Sequence, residues 1–425
     1  MAAMGAVPER AGEAVAAAAG GVVPRAALAL ISPFEPGRSI DAVRRELGLD
    51  RVVKLASNEN PLGASPAACT AVAAAAQSLG RYPDPCGRLL VAALAEKHAV
   101  QAENVILGAG SAELMRVIAS AYLEPQTEAL MADLCFPMYA SSTRLAGATP
   151  VSVPLDPDFD HDLERMLAAV TPATRVVFLA SPNNPTGKEI RAAALERFLA
   201  ALPPRVLCVL DLAYLEYGSP DAGRALMELW RRHSNVVILH TFSKVYGLAA
   251  LRIGYALAHL DVSRWLERAQ VPFCTSHIAQ LAARASLADR DHVRRSVDLN
   301  RQALDWMATE LGALGCRVVP SAANFLLVDV GIDSETVFQA LLRRGIIVRP
   351  MRHPRLATWV RITSGTLEET QLLCARLAAV VTSEATRERR TCSAPSGPGV
   401  GTIRPRHDRR QARRSTSAPA ARSSL

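Results

Sequence analysis

The chain has 425 residues, half of them hydrophobic, and a formal net charge of +8. That apolar content can fill a large core, in about two domains, and no apolar run reaches the roughly 18–20 residues of a membrane span. Ten arginines against three acidic residues after position 383 account for seven of the eight positive charges. The basic balance therefore describes a tail and does not imply a nucleic-acid-binding body.

Residues 1–28 are alanine-rich and lack a basic start followed by an apolar stretch. They read as a disordered extension and not as a secretory signal. Residues 29–64 form an arm with one short strand, joining a small domain. From 65 to 265 strands and helices alternate, with strands expected at 105–107, 129–132, 149–153, 175–180, 206–211, 236–241 and 252–258. This α/β alternation predicts a large domain built on a doubly wound, mostly parallel sheet covered on both faces. Between 266 and 383 the pattern becomes α+β. A long helix around 290–311 is followed by strands near 316–319, 324–329, 346–349 and 359–363, and a helix over 368–383 closes a smaller C-terminal domain. Residues 384–425 are rich in arginine, serine and proline without apolar periodicity, which predicts disorder. Eight cysteines are scattered with no Cys-x-x-Cys pair. That argues for a reducing cytoplasm, against a disulfide scaffold and against a bound metal.

The chemistry collects where expected strands end. Asn104-Val-Ile-Leu-Gly-Ala-Gly-Ser reads as a strand, a glycine turn and a helix start. Its backbone amides at Ala109, Gly110 and Ser111 suit a phosphate. Ser181-Pro-Asn-Asn-Pro-Thr-Gly187 and Asp211-Leu-Ala-Tyr214 each follow an apolar strand, the edge where open α/β sheets bind ligands. In Thr241-Phe-Ser-Lys-Val-Tyr-Gly-Leu-Ala-Ala-Leu-Arg252, Lys244 stands on a strand-to-loop edge beside Ser243, with Arg252 eight residues on. Such a lysine suits a Schiff-base nucleophile next to a phosphate held by Ser243 and Arg252. Pyridoxal 5'-phosphate (PLP) requires this set. Asp211 would keep the pyridine nitrogen protonated, Asn184 and Tyr214 would bond the ring's phenolic oxygen, and Lys244 would hold the cofactor and move protons.

Asn-Pro-Thr-Gly, then Asp-x-x-Tyr, then Ser-Lys with an arginine eight residues later resembles the fold-type I PLP-dependent aminotransferases. Further segments, among them Ile31-Ser-Pro-Phe-Glu-Pro-Gly, Lys54-Leu-Ala-Ser-Asn-Glu-Asn-Pro-Leu-Gly, Arg81-Tyr-Pro-Asp, Asn324-Phe-Leu-Leu-Val and Gly345-Ile-Ile-Val-Arg-Pro-Met, resemble the histidinol-phosphate aminotransferases over residues 30–383. The resemblance implies transamination between L-histidinol phosphate and 2-oxoglutarate in histidine biosynthesis. It implies that Phe136 stacks on the cofactor ring and that Tyr82 reaches the PLP phosphate of a second subunit in a homodimer. It also implies that Arg361 binds an α-carboxylate and that Arg349 lies near the substrate's phosphate. The partners would be small molecules, with neither nucleic acid nor membrane. Phe34 stands where that family commonly has tyrosine, Ala112 where an acidic residue is often found, and Arg352-His-Pro-Arg355 replaces a glycine-tyrosine-glycine loop. Aromatic amino-acid aminotransferases and phospho-amino-acid decarboxylases share this framework and remain alternatives.

Overall fold

A computed structural model describes residues 24–33 and 37–392, with side-chain environments through 383. Phe34 lies outside these residues. The described residues up to Glu384 form one compact unit, and those from Ala385 through Cys392 belong to a second.

Thirteen strands among the described residues form three sheets. The arm contributes β1 (Val53–Lys54). The large sheet is made of β2 (Val105–Gly108), β3 (Glu128–Ala132), β4 (Thr149–Val153), β5 (Thr174–Ala180), β6 (Leu207–Asp211), β7 (Val236–Thr241) and β8 (Gly254–Leu257). Its order is β2-β8-β7-β6-β5-β3-β4, and β8 alone runs antiparallel to its neighbours. In β5, Val176 and Phe178 enter one core and Val177 and Leu179 the other. Successive side chains of a strand point to opposite faces, so a sheet covered on both sides is written as an unbroken apolar run.

The remaining strands are β9 (Arg317–Val319), β10 (Phe325–Asp329), β11 (Ile346–Ile347), β12 (Arg349–Pro350) and β13 (Trp359–Thr363). An antiparallel sheet of order β12-β13-β10-β9 surrounds a third core. The arm strand β1 pairs in parallel with β11, Val53 opposite Ile346. It continues by Leu55, whose carbonyl accepts from the Thr363 amide at 2.9 Å. The residues just after β1 are thereby held at the end of β13.

Two boundaries differ from expectation. Ala26–Leu30, partly inside the extension expected to be disordered, forms a 3-10 turn. Arg25 anchors it by donating to the Leu145 carbonyl at 2.6 Å, at the end of a helix where carbonyls lack intrahelical partners. The last helix, expected to stop at 383, runs from Leu367 to Cys392. No glycine or proline interrupts the sequence there until Pro395, so no breaker ends the helix at Ser383.

Candidate active site

Strands β5, β6 and β7 are parallel neighbours, so the segments leaving their carboxyl ends lie side by side. Asn184 leaves β5, Asp211 ends β6 with Tyr214 just beyond, and Lys244 follows β7. Topology thus assembles three sequence motifs spread over sixty residues.

Asp211 is buried. Its Oδ2 accepts from the Tyr139 hydroxyl at 2.8 Å and its Oδ1 from the Ala213 amide at 3.1 Å. Burial raises its pKa to about 6, against these hydrogen bonds and nearby Lys244, which lower it. Lys244 donates from Nζ to the Ser57 carbonyl at 3.2 Å and sits 5.7 Å from the Tyr214 ring centroid. Its pKa falls to about 8, first through burial and then through Arg361, with a smaller push from Arg252. A lysine so depressed keeps a sizeable unprotonated, nucleophilic fraction near neutral pH.

Arg252 donates to Ser243 Oγ at 3.1 Å, and that hydroxyl in turn accepts from Thr241 Oγ1 at 3.0 Å. Gly110, with φ +86°, precedes the helix Ser111–Tyr122. A β-carbon placed on Gly110 would lie 2.3 Å from an Arg252 guanidinium nitrogen, so glycine is required for arginine and helix start to meet. The three amides assigned to phosphate are not equivalent. The Ala109 amide donates to Glu113 Oε2 at 3.2 Å and the Gly110 amide to the Gly108 carbonyl at 2.7 Å. A glutamate in the first turn commonly reaches back to cap such amides. Ser111 starts the helix, where amides lack intrahelical acceptors, so its amide, Ser243 and Arg252 are the groups of the expected phosphate site that could hold an anion.

Across from Lys244, Arg361 of β13 donates to Asn184 Oδ1 and to the Ala56 carbonyl, both at 2.7 Å. Burial lowers its pKa to about 10, and its Nε is buried without a partner. Arg349 lies directly cross-strand from Arg361. Phe136 packs edge-on against Tyr139, which stacks on Phe178 at 4.9 Å. Tyr82 is 84% exposed and rests against Phe273 at 4.8 Å. In the loop that departs from the family pattern, Arg355 donates to Asp133 at 2.7 Å and Arg352 to Glu335 at 3.3 Å.

Sequence reasoning passed over three polar side chains here. Tyr139 was hidden in an apolar helix start, Glu113 in a helix face, and Asn58 within a segment noted only for its resemblance. Asn58 bonds Tyr214 at 2.8 Å. No spacing rule places that arm residue beside a tyrosine 156 positions away; only the β1–β11 pairing does.

The donor set fits PLP. A half-buried lysine with lowered pKa, a buried carboxylate at the carboxyl end of the neighbouring strand and a glycine-permitted arginine cradle suit its aldehyde, ring nitrogen and phosphate. Fold and site together define a PLP-dependent transferase of fold type I. Residues 50–377 match the family model for aminotransferase class I and II. The chain is 45% identical to histidinol-phosphate aminotransferase 2 of Pseudomonas aeruginosa, over 80% of this chain and 92% of that one. It is 42% identical to the histidinol-phosphate aminotransferase of Moorella thermoacetica, over 82% and 90%. The crystal structure of histidinol-phosphate aminotransferase from Sinorhizobium meliloti in complex with pyridoxal-5'-phosphate superposes with a TM-score of 0.78 at 30% identity, covering 84% of this chain and 97% of that one. The chain belongs to the class I and II aminotransferases, and within them to the histidinol-phosphate aminotransferase family.

Proposed function

We propose that this enzyme transfers an amino group between L-histidinol phosphate and 2-oxoglutarate, giving imidazole-acetol phosphate and glutamate, with Lys244 as the catalytic base. The observation that carries the substrate reading is the cross-strand pair Arg349–Arg361 beside the Lys244 pocket. Two guanidiniums there suit substrates that present a carboxylate or a phosphate at one end. The loop arginines Arg352 and Arg355 are engaged by Glu335 and by Asp133, which leaves Arg349 and Arg361 as the anion ligands of this reading.

PLP, when bound, supplies an electron sink that stabilises negative charge at the substrate's α-carbon. Asp211, its carboxylate oriented by Tyr139 and Ala213, would hold the ring nitrogen's proton. Arg361 occupies Asn184 Oδ1, which leaves the amide Nδ2 as the group that would donate to the cofactor. Arg361 binds the glutamate α-carboxylate and Arg349 the phosphate end of the other substrate. Lys244 Nζ, its pKa lowered to about 8, would take the proton from the substrate's α-carbon and hold it for redelivery. Both substrates use the same site in turn, which predicts ping-pong kinetics.

We further propose a cytoplasmic homodimer with a large domain at 65–265 and a small one at 266–383. Exposed Tyr82 and half-exposed Phe273 support a subunit contact there, and the seven cysteines whose side chains are described are free thiols. The deciding measurement follows the visible absorbance of the PLP enzyme while L-histidinol phosphate, L-glutamate, L-phenylalanine and O-phospho-threonine are added singly. Rapid conversion to the pyridoxamine form by the first two supports the reading. Response to phenylalanine with indifference to histidinol phosphate overturns it.

A further inference from the structure

Asn58 is 1% exposed and has left-handed backbone, φ +56°, a conformation that asparagine tolerates better than most residues. Every polar group it carries is used. Its amide N–H donates to Thr363 Oγ1 at 3.0 Å, and that hydroxyl donates back to Asn58 Oδ1 at 3.0 Å. Its carbonyl accepts from Asn324 Nδ2 at 3.0 Å, and its Nδ2 donates to the Tyr214 hydroxyl at 2.8 Å. Thr363 Oγ1 accepts from the Asn58 backbone and gives its single proton to Asn58 Oδ1, and in this arrangement the side-chain nitrogen is the atom that faces Tyr214.

Tyr214 therefore accepts from Asn58, and its own proton must point elsewhere. Among the described residues that hydroxyl donates to no protein acceptor. Its ring is fixed edge-on to Phe325 at 5.3 Å and lies beside Lys244. We propose that Asn58 is a positioning residue that sets the polarity of the Tyr214 hydroxyl, forcing the phenol to act as a donor into the cofactor pocket. The charged groups facing Tyr214 are Arg361, Asp211 and Lys244, and none of them supplies this directional constraint. The arm and β13 thereby act on the cofactor through a side chain that does not touch it. The inference rests on the reading that Lys244 holds PLP and Tyr214 faces its phenolic oxygen.

The test is a pH titration of the visible absorbance of the PLP-loaded enzyme without substrate, which needs no turnover. A donor to the phenolic oxygen stabilises its negative charge and so makes the neighbouring lysine-bound nitrogen easier to deprotonate. Asn58→Asp keeps shape and backbone preference but offers an acceptor that takes the Tyr214 proton. Its titration midpoint rises by about one to two pH units, the span of a hydrogen bond to a charged group. Asn58→Gly also tolerates the backbone, loses the donor and shifts the midpoint in the same direction, so the inference stands or falls even if the aspartate variant does not fold. In a Tyr214→Phe background the Asn58 substitutions add no further shift, because they act through the absent hydroxyl. An unchanged midpoint in the folded, PLP-loaded Asn58 variants overturns the inference, as does an equal shift in the Tyr214→Phe background. Absence of any lysine-dependent visible band in the unsubstituted enzyme defeats the underlying cofactor reading instead.

Discussion

Lys244 and Asp211 share one burial problem with opposite consequences. Burial pulls the lysine down to about 8 and pushes the carboxylate up to about 6, so each pays some stability for a useful protonation state. For Lys244 in the cofactor-free protein, the reactive form is the neutral amine. The rate of PLP incorporation is expected to rise with a midpoint near pH 8; a midpoint near 10.5, the ordinary lysine value, counts against a buried nucleophile. Lys244→Ala abolishes turnover while PLP still binds non-covalently, and undiminished turnover in that variant removes the assignment. Arg361→Lys keeps the charge but loses the fork that spans Asn184 and Ala56. We expect kcat/KM for glutamate to fall roughly 10²-fold, about 3 kcal/mol of binding at a buried charge, measured by steady-state kinetics.

Among the elements, the start of the helix Ser111–Tyr122 shows how backbone conformation limits chemistry. Gly110→Ala meets two obstacles, a positive φ and a β-carbon 2.3 Å from Arg252. The guanidinium must move off Ser243, an overpacking cost of about 1–3 kcal/mol. PLP affinity, read by equilibrium dialysis, should weaken about 10- to 100-fold with little loss of helix content. The glycine turn was legible in the sequence because strand, glycines and helix are local. Capture of the Ala109 amide by Glu113 was not, since one more acidic residue on a helix normally reads as a solvated face.

For the whole molecule, three imidazoles largely withdrawn from water bear on acid behaviour. Burial lowers His161 to about 4 and His98 to about 3, and places His240 well below its ordinary value. The unfolded chain takes up these protons near pH 6.5 and the folded chain does not, so stability falls as pH drops from about 6.5 toward 4. Asp211, with its folded pKa raised to about 6, acts oppositely as the pH falls below that value, and burial raises Glu113, Glu189 and Glu216 in the same sense, so these four carboxyls offset part of the loss. Melting of the cofactor-free protein should fall by roughly 2–5 °C between pH 6.5 and 4.5, and His240→Phe, which retains an aromatic ring beside Tyr255, should flatten the slope. The proposed two-fold dimer has its own test. If Tyr82 completes the partner's site, mixing inactive Tyr82→Ala with inactive Lys244→Ala subunits restores activity to about a quarter of the sites, by random pairing in a two-fold dimer. Continued inactivity after subunit exchange argues against a shared site.

Lys244, Asp211, Asn184, Tyr214, Arg252 and the alternating α/β layout are all legible along the chain. Each of these is written locally, as an apolar run followed at once by the polar residue it presents, so strand ends and chemistry could be read together. Which groups face one another depends on contacts made by the folded chain. The pairing of β1 with β11 carries Asn58 to Tyr214, the register of β12 with β13 sets Arg349 beside Arg361, and packing hands Arg352 and Arg355 to Glu335 and Asp133. Those contacts join residues separated by 12 positions, for Arg349 and Arg361, up to 293, for Val53 and Ile346, and periodicity along a chain carries no information about such distances.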